Sequence, residues 1–141
     1  VTARSGPRLA SGALAFALFA LCLSTNAYAS AADRAQAERA FLRTVTPISA
    51  NDVTGNLIRN IGRHVAFVCT VTAIVHADTM IGQCGRPQEP VDLYVLTPTA
   101  GLKIGTKMRV LGEMLTPAQW VDVTGHSWYT AMMKATFADR I

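Results

Sequence analysis

The chain has 141 residues, half of them apolar and 16% charged. That is room for one small domain, and it excludes a disordered tail or a coiled coil. The formal net charge of +4 is too slight to carry a polyanion-binding reading by itself.

Residues 1–29 read as a secretory signal peptide. Arg4 and Arg8 form a positive start, an apolar run follows over residues 9–23, and Ala27-Tyr28-Ala29 ends it as an Ala-x-Ala cleavage site ahead of Ser30. The run is shorter than the ~20 residues a spanning helix needs. The expectation is a periplasmic or secreted protein with no membrane span after cleavage, an uncleaved anchor being the alternative. Loss of Arg4 and Arg8 leaves 11 basic residues against 9 acidic, a net charge of +2 for residues 30–141. Of three cysteines, Cys22 departs with the signal, and Cys69 and Cys84 remain. An even pair in an oxidising compartment points to a disulfide.

Residues 30–48 form a helical segment in this reading. The Ala-rich stretch 33–45 predicts a helix with Phe41, Leu42 and Val45 as its apolar stripe, ended by Thr46-Pro47. Ser49-Ala50-Asn51-Asp52 resembles a capping box. It predicts a second helix with Val53, Leu57, Ile58 and Ile61 on one face and a stop at Gly62.

From Arg63 the period changes to two. Residues 64–75 alternate, with Val65, Phe67, Cys69, Val71, Ala73 and Val75 all apolar, and predict a long strand with one buried face. His76-Ala77-Asp78 is a polar turn, followed by a strand over 79–84. Gly85 to Pro90 reads as a loop. A third strand follows over 91–96, with Val91, Leu93 and Val95 inward. The fourth covers 107–115, where Gly112 marks a bulge or bend. Residues 117–125 read as a long loop holding Trp120. The fifth strand covers 128–138, with Tyr129, Ala131, Met133, Ala135 and Phe137 on one face. The expected core includes Phe67, Val71, Leu93, Val95, Val110 and Phe137.

Register arithmetic bears on the cysteines. If His76-Ala77 is a two-residue turn, paired residues sum to 153, as Cys69 and Cys84 do. The two would then face each other within disulfide range. A three-residue turn would offset them, and a bulge would restore the pair.

Five strands closing on one buried face predict a mainly β fold, a small barrel over residues 49–141 behind one or two helices. Gly62-Arg63-His64-Val65-Ala66-Phe67 resembles the lead-in to the first strand of an OB-fold. The stretch Leu102-Lys103-Ile104-Gly105-Thr106-Lys107-Met108-Arg109-Val110-Leu111-Gly112 resembles the lead-in to its fourth strand. Together they are similar to exported OB domains of the tRNA-anti-like group, over residues 50–141. The family's helix between the third and fourth strands is reduced here to residues 98–106, and an SH3-like barrel is the rival architecture.

The resemblance implies a ligand surface across the second and third strands and the adjoining loops. It maps to Gln83, Arg86, Tyr94, Trp120, His126 and Trp128. Aromatic and basic residues together suit single-stranded nucleic acid; the plainer role for Trp120 and Trp128 is to cap the barrel ends. No phosphate loop, dinucleotide fingerprint, zinc pattern or catalytic constellation occurs, so no cofactor or metal and no enzymatic activity is expected. The expected role is a binding or structural module for an envelope protein or small ligand, with single-stranded nucleic acid or another polyanion as the alternative.

Overall fold

The computed structural model describes residues 28–141, so all but the last two residues of the 1–29 signal-peptide reading, Cys22 included, lie outside the described residues. By its internal contacts the chain divides into residues 1–36 and residues 37–141.

Helix α1 runs Ala31–Leu42, starting two residues before the expected position. Its cap is Ser30, whose Oγ accepts from the Asp33 N–H at 3.1 Å and donates to Asp33 Oδ2 at 2.8 Å. Helix α2 is a short Ala50–Gly55. Ser49 caps it in the same way through Asp52. The chain then breaks into a 3-10 turn, Ile58–Asn60. The predicted continuous apolar face therefore does not form: Val53 is buried, but Ile58 is 71% and Ile61 41% exposed.

Six strands follow: β1 His64–His76, β2 Thr79–Arg86, β3 Glu89–Leu96, β4 Lys107–Met114, β5 Ala118–Val121 and β6 Ser127–Arg140. Their order is β3-β2-β1-β4-β6-β5, and β3 also pairs with β6 in parallel. That last pairing joins five strands in a ring, β1-β2-β3-β6-β4, which is the OB-fold-like closure; β5 hangs outside it on β6. The core inside the ring includes Val65, Phe67, Val71, Met80, Leu93, Val95, Val110 and Met133. Ala50 and Val53 of α2 belong to it too.

Three details differ from the sequence reading, each for a local reason. Strands β2 and β3 extend to Arg86 and Glu89, which pair around a two-residue turn, so the expected 85–90 loop is a tight hairpin. Asn51 of α2 holds it: its Nδ2 donates to the Glu89 carbonyl at 2.7 Å, and its Oδ1 accepts from the Arg86 N–H at 3.1 Å. A Cβ on Gly85 would lie 2.4 Å from that Oδ1, so α2 can approach the hairpin only over glycine.

The β1–β2 turn is Ala77-Asp78, one residue later than expected, with His76 opposite Thr79. Two register shifts follow, between Ile74 and His76 and between Val71 and Ala73, and they bring Cys69 opposite Cys84. The two are disulfide-bonded with Cα atoms 4.2 Å apart. These shifts also end the alternation of β1, so Val75 is exposed rather than inward.

On β6, Thr136 is an extra residue, since Leu111 pairs with Phe137 but Gly112 with Ala135. The bulge inverts the parity of the strand end. Ala138 now packs against the barrel core. Phe137 is buried as expected, but on the outer face, where the Phe41 ring of α1 meets it edge-on at 6.0 Å. Beside it Phe41 stacks on His64 at 4.6 Å, Thr44 Oγ1 meets His64 Nδ1 at 2.6 Å, and Glu38 forms an ion pair with Arg109. Gly112 makes the bulge possible: a Cβ there would lie 2.1 Å from the Lys134 carbonyl oxygen.

Candidate functional site

The six residues singled out from the sequence fall into two arrangements. Gln83 and Arg86 line a shallow groove of about 330 Å³ on the outside of β1, β2 and β4. Its walls add Val68, Thr70, Pro90 and Lys107. Gln83, Thr70 and Lys107 form one cross-strand row, because Thr70 pairs with Gln83 on one side and Lys107 on the other. Neither Arg86 nor Lys107 makes an ion pair among the described residues. Tyr94 faces the same way across β2 and β3, opposite Ile81 while Gln83 is opposite Asp92. It is half-buried and is not part of the groove wall. The sequence reading missed Lys107 because strand alternation gave it only as a surface position.

Trp120, His126 and Trp128 form the second arrangement. Trp120 lies in a strand rather than a loop, directly opposite Trp128. Their rings stack with centroids 5.9 Å apart and planes 23° apart, and the His126 ring meets Trp128 edge-on at 4.6 Å. Neither tryptophan caps the barrel: Trp120 is 51% exposed and Trp128 47%. Val123 is exposed at the hairpin tip, and Val121 and Tyr129 are exposed on the face opposite the indoles, one residue along each strand from the tryptophans. So much apolar surface on a hairpin outside the ring is what interaction sites show.

Asp122, which the sequence reading did not single out, organises this hairpin. Its Oδ1 accepts from the Thr124 N–H at 2.9 Å, the Thr124 hydroxyl at 2.5 Å and the His126 N–H at 3.0 Å. Its Oδ2 accepts from Trp128 Nε1 at 3.1 Å. These bonds, the Thr124 hydroxyl and the indole foremost, lower its pKa from 3.8 to about 2. Trp120 Nε1 donates to Thr130 Oγ1 at 3.3 Å, so both indoles are anchored by their nitrogens while each side chain stays about half exposed. The one sequence signal for the hairpin was weak: Gly125 as a turn residue between Trp-Val-Asp and Trp-Tyr, in a stretch whose composition otherwise reads as loop.

The hairpin is electrostatically bare. Between Leu115 and Met133 the chain has no Lys or Arg, and Asp122 is its one acidic residue. Phosphate recognition needs cations within reach, and this arrangement supplies none. The groove supplies cations but no stacked aromatics. Among the described residues, no group of three or more His, Cys, Asp or Glu is placed to hold a metal ion.

No protein family matches the chain, and no curated protein does either. Among solved structures the chain is similar to a mitochondrial single-stranded DNA-binding protein from S. cerevisiae. The identity is 10%, over 57% of this chain and 95% of that one, with a TM-score of 0.38.

Proposed function

We propose that the protein is an exported, non-enzymatic binding module that holds a protein or small ligand of the cell envelope against its β5–β6 hairpin. The carrying observation is that hairpin: two stacked, half-exposed tryptophans fixed by Asp122 and Thr130, with Val123 exposed at the tip, Val121 and Tyr129 exposed on the other face, and no Lys or Arg between Leu115 and Met133. Fixed aromatics offer large contact area at low entropic cost, the profile of an interface anchor. The disulfide fits an oxidising compartment. No described helix is long and apolar enough to cross a membrane. The export reading adds the signal at residues 1–29, with the processed chain starting at Ser30; intact mass of the secreted product tests it, and a product retaining Arg4 and Arg8 refutes it.

The test of the binding reading is photo-crosslinking in the exporting cell. A photoreactive residue at Val123, fully exposed at the hairpin tip, should give adducts that vanish when Trp120 and Trp128 are both Ala. The same probe at Thr136, on the barrel wall, should not give them. Adducts of equal yield from both positions refute the reading.

A second reading rests on Arg86 and Lys107, which share the outer groove. It takes the protein as a polyanion binder, with single-stranded nucleic acid as the ligand. Both tryptophans of the chain lie in the hairpin, so their emission reports a strand that reaches from the groove to the indoles. An affinity falling steeply with salt, and lost on Arg86→Ala, would replace the first reading with this one.

A further inference from the structure

We propose that the free edge of β5 pairs with the same edge of a second copy of this chain, giving a two-fold dimer. The inference goes beyond the ligand reading and does not rest on it, because it uses the backbone edge of the hairpin and leaves the tryptophan face open.

Strand β5 is the last in the sheet order and pairs only with β6. Its outer row of N–H and C=O groups therefore has no strand partner among the described residues. Such an edge is a template for a further strand unless a charge, a proline or a bulge spoils it. Here the strand is Ala-Gln-Trp-Val, with none of these inside it; Pro117 stands just before it.

The ladder fixes which groups point outward. The Asp122 N–H donates to the His126 carbonyl at 3.0 Å, in the register that pairs Trp120 with Trp128 and Ala118 with Thr130. Hydrogen-bonded and non-bonded pairs alternate along an antiparallel ladder. Ala118, Trp120 and Asp122 thus turn their backbone groups toward β6, and Gln119 and Val121 turn theirs outward. Two outward residues separated by one are self-complementary about a two-fold axis through Trp120. Gln119 of each copy then lies opposite Val121 of the other, and each pair exchanges two hydrogen bonds.

The side chains agree with this register. Trp120 meets the partner's Trp120 across a non-bonded pair, where side chains approach most closely. The existing Trp128–Trp120 stack becomes a row of four indoles. The one charge on the hairpin stays out of the way. Asp122 falls opposite the partner's Ala118, which puts the two carboxylates four residues, about 14 Å, apart along the strand. That exceeds the screening length of about 8 Å at physiological salt. The contact is closed and isologous, so it stops at two copies. Being smaller than the ~1,200–2,000 Å² of a standard interface, it predicts a weak dimer, with Kd between about 1 μM and 1 mM.

Analytical ultracentrifugation of the oxidised, purified protein over that concentration range tests it. The weight-average mass should rise from one chain toward two and no further. Gln119→Pro removes only an outward N–H, so it should hold the protein monomeric while the hairpin's tryptophan emission stays native. Val121→Lys, at a position 59% exposed, should do the same and decides the matter if the proline variant does not fold. A parent that stays monomeric to about 1 mM, an assembly that grows past two, or folded variants that dimerise like the parent would each overturn the proposal. None of these outcomes affects the crosslinks to other molecules that test the ligand reading.

Discussion

Removing the Cys69–Cys84 bond should destabilise the barrel by about 3 kcal/mol, the chain-entropy value for a loop of this size. The cysteines are 15 residues apart and the loop they close is the β1–β2 hairpin itself. Both are almost fully buried, at 1% and 2% exposure. The suitable perturbation replaces both with Ala, which loses the sulfur pair without leaving a buried thiol. Urea unfolding is the assay. With a slope of about 1–3 kcal/mol per molar for a small domain, the midpoint should fall by roughly 1–3 M while the slope rises, since the uncrosslinked chain exposes more surface. Thiol counting on the denatured, unreduced parent should find no free thiol among residues 30–141. Two free thiols there, or a variant whose midpoint matches the parent, would show that the pair is unbonded or adds nothing to stability.

Other consequences follow from single residues. Phe67→Ala, at a core position 6% exposed, should cost about 3–5 kcal/mol by thermal or urea unfolding; a loss under about 1 kcal/mol would put Phe67 outside the core. Gly112→Ala drives a Cβ to within 2.1 Å of the Lys134 carbonyl oxygen and should cost at least the ~1–3 kcal/mol of an overpacked core, whereas a neutral effect would remove the bulge at Thr136 from the account. Asp122 binds its proton less readily in the folded hairpin than in the open chain, so its contribution is whole above its ordinary pKa of 3.8 and is lost as pH falls through about 2. Tryptophan emission followed against pH should hold until that acid limb; a change centred near pH 3.8 would show Asp122 to be unbonded.

The closed β framework was legible because it rests on burial. Val65, Phe67, Cys69 and Val71 alternate with outward residues, and such a stripe has to close on others like it. The disulfide was legible for a related reason, since paired positions keep a constant sum along a ladder. The local turn was placed one residue early, and two bulges restored the sum. What stayed hidden were features with no periodicity of their own. The bulge at Thr136 has no sequence marker on β6, yet it turns Phe137 from the barrel to the underside of α1. Strand β5 is only four residues long and sits between Pro117 and Gly125, so composition marked it as loop. Its pairing comes from Trp128 across the turn and from Asp122, which are contacts at a distance rather than a local preference. The resemblance to OB domains marks Gln83, Arg86, Tyr94, Trp120, His126 and Trp128 one by one. The resemblance could not tell that Gln83 and Arg86 line one groove while Trp120, His126 and Trp128 form a separate cluster.

Crosslinking from Val123 in the exporting cell bears most directly on the claim that the hairpin is where this protein meets its ligand. Adducts to another molecule are expected, abolished by Trp120→Ala with Trp128→Ala and absent when the probe sits at Thr136. No adduct from Val123 beyond the chain's own dimer, or adducts indifferent to both tryptophans, would contradict it.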